Sequence, residues 1–162
     1  MLGKNCKTYY LTTGTRATWG SVGSSGRHEG EAPSNLVLIE SCKDVTTPGE
    51  RKVAQQSDRG AAWETGDTGA FTGNLVIKLN HRTSADAGRT ALETAMLTNQ
   101  PIALAMLDGA SDVAGSKGLW ADFKVAKFPR NEPEEGHVTY DYELVPYDSG
   151  VAPEFVEVTS GT

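Results

Sequence analysis

Alternation of apolar and polar side chains with a period of two is the feature that most constrains the fold of this chain. Leu75, Ile77 and Leu79 fall on one side of an extended segment, and the residues between them fall on the other. The same alternation recurs in residues 119–125 and 138–144. Because only a strand places every second side chain on one face, these runs predict a mainly β protein.

Three further runs also predict strands. Residues 7–11 are rich in β-forming side chains, and residues 102–107 form the short apolar run of a buried strand. In residues 36–46 apolar side chains occupy both parities, as expected of a strand covered on both faces. Phe128 falls off the parity of the run before it, which predicts either a strand end near Ala126 or a bulge.

One segment departs from this pattern and predicts a helix over about residues 84–98. Residues 83–86 resemble a capping box, and Asp86 lies where a helix N-terminus favours negative charge. Small and apolar residues then recur at spacings of three and four, and Pro101 follows the end. We expect this narrow face to pack flat against one side of the sheets. It consists of Gly88, Ala91, Leu92, Ala95 and Met96.

Length and charge limit the class of protein. The 162 residues suit a single domain over residues 1–162, and the 18 glycines suit many turns. We predict a β-sandwich or barrel of two antiparallel sheets with one flanking helix and long loops. The net charge is −6 and the basic residues are scattered, so sequence-specific nucleic-acid binding is not expected.

Targeting segments and cysteine pairing are not apparent. The first residues lack the apolar core of a signal peptide, and no run of about 18 apolar residues occurs. We expect the chain to be made in the cytoplasm without a signal peptide and to have no membrane partner. Cys6 and Cys42 lack C-x-x-C spacing and neighbouring histidines, which predicts free, buried thiols.

The search for catalytic chemistry is negative. No G-x-S-x-G, H-E-x-x-H, G-x-G-x-x-G or phosphate-loop motif occurs. His28, His81 and His137 are far apart in the sequence, and the acidic residues between 132 and 135 lack the spacing of a calcium loop. We therefore expect no enzymatic activity, no cofactor and no metal.

Two segments are poorly explained by an isolated domain. Residues 12–35 contain five glycines and no periodicity, which predicts a long flexible loop. Residues 50–57 are polar on both faces, as expected at a subunit boundary or beside a water-filled lumen. We predict that they pair with residues 36–46 in a hairpin arm over about residues 36–58.

Several segments of the chain together carry a resemblance to a known family. The most specific are GLWADFKVAKFPRNEPEE and DRGAAW, and the others are LGKNCKTYY, SCKDVT, IALAMLDG and PEFVEV. In sequence and order they resemble the phage major tail tube protein family, which is similar in fold to the type VI secretion tube protein. The resemblance covers almost the whole chain. It implies a β-sandwich with a flanking helix that forms hexameric rings, which stack into a hollow tube for DNA ejection.

The resemblance also implies a location and partners. The chain would lie in the virion tail and contact other copies of itself within and between rings. Its further partners would be the tape-measure protein, the tail terminator, and baseplate or tail-tip proteins. Double-stranded DNA would pass through the lumen without sequence-specific binding. Strands from six subunits would form one continuous inner barrel, which removes the open sheet edges of each subunit.

Candidate contact and lumen residues follow from this interpretation. Trp19 is a candidate inter-subunit anchor, since tryptophans dominate interface energetics, although its indole could instead pack on its own domain. The other contact candidates are Arg51, Val53, Gln55 and Arg59. A neutral or acidic wall would let DNA slide, so the lumen-facing candidates are Asp141 and Glu143, with Asp122 as a weaker one. Parity shows that Asp141 and Glu143 share a face but not which face it is, so they could instead lie on the outer surface.

Other interpretations stay open. A self-contained β-sandwich that binds a carbohydrate or a receptor would also explain the alternation and the loops. A small hydrolase would require a converging nucleophile, base and oxyanion donor. Within the tail interpretation, contractile tails, non-contractile tails and gene-transfer particles all use such subunits, and the resemblance slightly favours a non-contractile tail.

Overall fold

A computed structural model describes residues 6–12, 16–46, 50–56 and 65–159 of the chain. For residues 50–56 and 65–72 the description covers the backbone. The described residues form thirteen strands and one helix, so the predicted fold class, mainly β with a single helix, is confirmed.

The elements follow one another in a simple order. In sequence they are β1 (Lys7–Leu11), β2 (Ser21–Val22), β3 (His28–Gly30), β4 (Leu36–Leu38), β5 (Cys42–Thr46), β6 (Glu50–Gln56), β7 (Thr65–Thr72), β8 (Leu75–Asn80), α1 (Ala87–Leu97), β9 (Ile102–Leu107), β10 (Lys117–Lys127), β11 (Arg130–Asn131), β12 (Thr139–Pro146) and β13 (Glu154–Val158). Eleven strands share one sheet, and β6 and β7 form a separate pair. Every strand pair is antiparallel except β3 with β13.

Part of the larger sheet closes into a barrel. From β10, hydrogen-bonded pairs run through β9 to β1 on one side and through β12 to β8 on the other. Segment 36–46 joins these two ends, because β4 pairs with β1 and β5 pairs with β8. Between the two halves, the N–H of Ile39 donates to the carbonyl oxygen of Thr8 at 2.9 Å. The edges of β1 and β8 are therefore paired within the chain.

The barrel interior contains the first hydrophobic core. Leu75, Ile77 and Leu79 of β8 are fully buried, as their alternation predicts. They pack with inward residues of β1, β9, β10 and β12, among which Tyr142 and Phe123 are the largest that are fully buried. Each such side chain contributes about 1.5–3 kcal/mol on burial, so this core is a main source of stability.

A second core lies on the outer face of β1, β9 and β10. Trp120 of β10 and Ala105 of β9 point away from the barrel and are covered by Trp19 and β13. The side chains of β9 therefore alternate between two cores. This arrangement explains why residues 102–107 are buried on both faces, as the apolar run predicts.

Residues 12–35, predicted as a long flexible loop, belong largely to this outer layer. Their described part contains β2 and β3, and β3 pairs with β13 through His28 and Val156. The segment is short of apolar residues, but the outer face of the barrel supplies a surface on which it packs. Its ordering cost of about 1 kcal/mol per residue is therefore offset within its own chain.

Helix α1 packs its small-residue face into the barrel core. It begins one turn later than predicted, because Asp86 is the N-cap and its carboxylate accepts from the Arg89 N–H at 3.1 Å. The buried residues are Gly88, Leu92 and Ala95, as the spacing predicts. A Cβ on Gly88 would lie 2.8 Å from Cγ2 of Ile39, so glycine permits the close approach of the helix.

A bulge resets the register at the end of β10. The pairing with β12 shifts between Val125 and Lys127, and the strand ends at Lys127, so both predicted features, the bulge and the strand end near Ala126, occur together. Phe128 then stacks on Tyr142, with ring centroids 6.1 Å apart. The turn after the bulge contains the short strand β11, which pairs with the start of β12.

The predicted hairpin arm is wrong in its pairing. Residues 50–56 do form a strand, but their partner is β7 and not segment 36–46. The glycines and threonines of residues 66–73 favour a loop, but most of these residues lie in strand β7. The two halves of segment 36–46 pair instead with β1 and with β8.

Gly88→Ala tests the contact between α1 and the barrel. Alanine normally favours a helix over glycine by about 1 kcal/mol. Here the added methyl group would crowd Ile39, which is β-branched and buried, so we expect the free energy of unfolding to fall by about 1–2 kcal/mol. Urea denaturation measures the change. Thr94→Ala, at an exposed position of the same helix, is the control and should be neutral or slightly stabilising.

The same substitution in an Ile39→Ala background tests whether Ile39 causes this loss of stability. In that background, Gly88→Ala should no longer lower the free energy of unfolding. An unchanged penalty in that background would show that Ile39 does not oppose the methyl group.

Candidate assembly surfaces

A buried ionic cluster attaches the outer layer to the barrel. The side chain of Arg16 is fully buried, and its Nε lies 2.7 Å from Oδ2 of Asp122 on β10. Its Nη1 lies 3.8 Å from Oε2 of Glu154 at the start of β13. Two carboxylates and one guanidinium are thus brought together by three distant parts of the chain.

Neutral groups complete this cluster. Arg16 also donates to the carbonyl oxygens of Val151 and Ala152, the latter at 2.9 Å. The Ser149 hydroxyl donates to the Asp122 carboxylate, and the backbone N–H of Trp19 donates to the Glu154 carboxylate at 2.9 Å. Because a buried charge is costly unless it is paired and hydrogen-bonded, these contacts make the cluster tolerable in the core.

Two candidates from the sequence are corrected by this cluster. Asp122 is only 6% exposed and is bonded to Arg16, so it does not line a solvent-filled lumen. Trp19 is 2% exposed and packs edge-on against Trp120, with centroids 5.6 Å apart. Its indole therefore belongs to the core of its own chain. The outer layer covers the face of β10 that carries both Trp120 and Asp122.

Sequence reasoning missed Arg16 and Glu154. The position of Asp122 could have predicted such a cluster, because it shares one face of a strand with Trp120. A carboxylate beside a buried tryptophan requires a cationic partner. Nothing local identifies which of the scattered basic residues is that partner. The pairing spans more than a hundred positions.

Asp141 and Glu143 lie on the uncovered outer face of the barrel. Asp141 accepts from the Asn131 side chain at 2.8 Å, and Lys78 Nζ lies 3.9 Å from its other oxygen. Glu143 accepts from Asn74 at 2.6 Å and lies 3.3 Å from Nζ of Lys127. Both carboxylates are therefore half-exposed and paired with lysines on neighbouring strands.

This outer face is balanced in charge, although β12 by itself contributes only carboxylates to it. Strand pairing places lysines beside the carboxylates. The ionisable residues that share the face across β5, β8, β10 and β12 are Asp44, Lys78, Lys124, Lys127, Asp141 and Glu143. We refer to this set, three lysines and three carboxylates, as the mixed-charge face.

The hairpin of β6 and β7 contains the remaining contact candidates. In the backbone register, Arg51 pairs with Phe71, Val53 with Thr68, and Gln55 with Gly66. Among the described residues, neither strand pairs with the larger sheet. Arg59 lies outside the described residues.

Several polar groups of the cavity beside α1 take part in structural bonds. A cavity of about 920 Å³ lies between α1 and the strands β1 and β9. Arg16 and Asp122 in its lining are bonded to each other, and Asp86 caps the helix. In the part of the chain that the structure describes, no group of three His, Cys, Asp or Glu residues is placed to hold a metal ion.

No helix in the described ranges has the length and apolar character that a bilayer span requires.

Cys6 and Cys42 are free, as predicted, but Cys6 is exposed and Cys42 is half-buried. The expectation that both thiols are buried is therefore wrong for Cys6, which precedes the first paired residue of β1.

Arg16→Met tests the buried cluster. The variant leaves Asp122 and Glu154 buried without a cation, so we expect the free energy of unfolding to fall by about 3–5 kcal/mol. Arg82→Met is the matched control, because it removes an exposed ion pair with Glu40 and should cost less than about 1 kcal/mol. Equal, small losses in urea denaturation would contradict the structural role of the cluster.

The fold is similar to those of known tail proteins. The SPP1 tail tube subunit matches with a TM-score of 0.68 and 13% identity, over 99% of this chain and 81% of that chain. A chain from the virion of a native gene transfer agent particle matches with a TM-score of 0.62 and 7% identity, over 96% of this chain and 98% of that chain. A chain from the tail of an empty gene transfer agent particle, refined helically with C6 symmetry, matches at 0.58 and 11% identity with the same coverage.

These similarities are structural and span nearly the whole chain. No protein-family model and no curated protein sequence matches this chain. Identities of 7–13% support a conclusion about fold. The chain has the fold of phage tail tube proteins.

Proposed function

We propose that this protein is the major subunit of a phage or phage-like tail tube. Its copies form rings, and the rings stack into a hollow conduit through which double-stranded DNA leaves the particle. The observation that carries the proposal is the similarity to the SPP1 tail tube subunit along 99% of the chain. The protein acts as a structural component of the tail and not as an enzyme.

Six copies per ring is the number we propose. One structural neighbour comes from a tail refined with C6 symmetry, which supports this choice. Head-to-tail contacts between identical subunits close into a ring whenever the rotation between neighbours divides a full turn. Strands from neighbouring subunits would then form the continuous inner barrel.

The hairpin of β6 and β7 is the proposed arm that joins subunits. A two-stranded hairpin is at best marginally stable in water, and its outer edges can accept strands of another chain. Within the described residues its strands pair only with each other. We propose that β6, with Arg51, Val53 and Gln55, contacts a neighbouring copy in the same ring or the next.

Replacing residues 50–72 with a short Gly-Ser linker tests the arm. Wild-type protein at high concentration, or mixed with a tail-initiation complex, should give hollow tubes of uniform width by negative-stain electron microscopy. The shortened chain should remain a folded monomer, because the paired strands of the larger sheet do not include β6 or β7.

The outcomes separate the arm from the function. A near-wild-type melting temperature with no tubes supports the arm. Tubes formed by the shortened chain would overturn the arm but leave the tube function standing. A wild-type chain that stays monomeric under all these conditions would overturn the proposed function itself.

We propose that the mixed-charge face, with Asp141 and Glu143, lines the lumen. DNA carries one negative charge per about 1.7 Å of axis, so a basic wall would retain it, whereas a balanced wall lets it slide. On this face the carboxylates offset the lysines beside them. The supporting observation is that this side of the barrel is not covered by the outer layer.

Charge reversal tests the lumen assignment. Particles assembled with Asp141→Lys and Glu143→Lys should eject DNA more slowly, and higher salt should restore the rate, because the retention is electrostatic. Glu134→Lys with Glu135→Lys, at exposed positions of the turn before β12, adds the same charge and is the control. Equal ejection rates in both variants would exclude this face from the lumen.

The remaining partners belong to the same proposal. The tape-measure protein would occupy the lumen before ejection, the terminator would close one end of the tube, and baseplate or tail-tip proteins would begin the other. The location is the virion tail.

A further inference from the structure

Cys6 and Cys42 share a small cavity where β1 and β5 begin and β9 ends. The cavity measures about 350 Å³ and is lined by both cysteines. The Cys42 thiol lies 3.8 Å from the hydroxyl oxygen of Thr8 on β1. Cys6 precedes Thr8 by two residues, so an extended chain places both side chains on one face. The two thiols therefore face the same space.

Cys6 also has the freedom to approach Cys42. The pairing of β1 with β9 begins at Lys7, so no ladder hydrogen bond fixes Cys6. Both thiols line the same cavity, so the bond requires Cys6 to move within that space until its Cα lies about 4.4–6.8 Å from that of Cys42.

The surroundings of the two thiols assign them different roles. Lys7, Lys43 and Lys117 line the cavity together with Asp44 and Asp108. The exposed Cys6 is the thiol that a soluble oxidant reaches first. Burial raises the pKa of the Cys42 thiol, which makes it the slower, second reactant.

From this geometry we infer that Cys6 and Cys42 form an intrachain disulfide under oxidising conditions. With a small disulfide such as oxidised glutathione, the Cys6 thiolate attacks one sulfur atom and releases one glutathione thiolate. Cys42 loses its proton and attacks the mixed disulfide at the Cys6 sulfur, which releases the second glutathione. Two protein thiols are oxidised and one glutathione disulfide is reduced. The inference does not depend on the proposed function.

The bond would close a loop that includes β2, β3 and β4. Cross-linking positions 36 residues apart restricts the unfolded chain. It would join the start of β1 to the start of β5, at the point where segment 36–46 completes the barrel. We expect the melting temperature to rise by about 5–10 °C on oxidation.

Peptide mapping of the wild-type protein tests this inference. Reduced protein at low concentration is treated with oxidised glutathione, alkylated and digested with trypsin without reductant. Cleavage after Lys4, Lys7, Arg27 and Lys43 places Cys6 in peptide 5–7 and Cys42 in peptide 28–43. We expect these two peptides to be recovered as one linked species, together with the rise in melting temperature.

Single variants provide the controls. In Cys42→Ser, Cys6 should accumulate the mixed disulfide with glutathione, and in Cys6→Ser, Cys42 should react more slowly. Neither variant should gain thermal stability on oxidation. Wild-type protein that yields only glutathione adducts, only cross-links between chains, or unreacted thiols would overturn the inference.

Discussion

The closure of the barrel by segment 36–46 is the constraint on which the rest of the structure depends. A single stretch pairs with β1 through β4 and with β8 through β5, and it bends at Ile39 between the two. This double pairing satisfies the two edges that the sheet would otherwise expose. Among the described strands, β6, which follows β5 in the sequence, pairs with β7.

The outer layer depends on the closed barrel. Once β1, β9 and β10 are held together, their outer faces offer Trp120 and small side chains as a surface for residues 16–35 and β13. Arg16 then enters this layer and pairs with Asp122 and Glu154. A glycine-rich segment that is unable to form its own core is thereby ordered by its contacts with the barrel. The side of the barrel without this layer keeps the mixed-charge face exposed.

Local patterns were sufficient to predict the elements but not their partners. The alternation of Leu75, Ile77 and Leu79 and the helical spacing around Leu92 correspond to buried faces in the structure. The apolar pattern of β7 is too weak to distinguish it from a loop. The burial of Trp19 and Asp122 depends on contacts between residues more than a hundred positions apart, and period and propensity contain no information about such distances.

The candidate surfaces were predictable to a similar extent. The exposure of Asp141 and Glu143 follows from parity, because it places them opposite Tyr140 and Tyr142. Their charge environment does not, since the lysines beside them come from β8 and β10. The polarity of residues 50–57 predicted a strand, which residues 50–56 form, although its partner strand was predicted incorrectly.

The central claim is that the hairpin of β6 and β7 completes its pairing with another copy of the chain. Hydrogen exchange of the backbone amides, compared between monomer and assembled tube, tests this claim most directly. The account predicts rapid exchange at residues 50–56 and 65–72 in the monomer, at least about tenfold slower exchange in the tube, and little change in β9 and β10. Equal exchange of the hairpin in both states would contradict it.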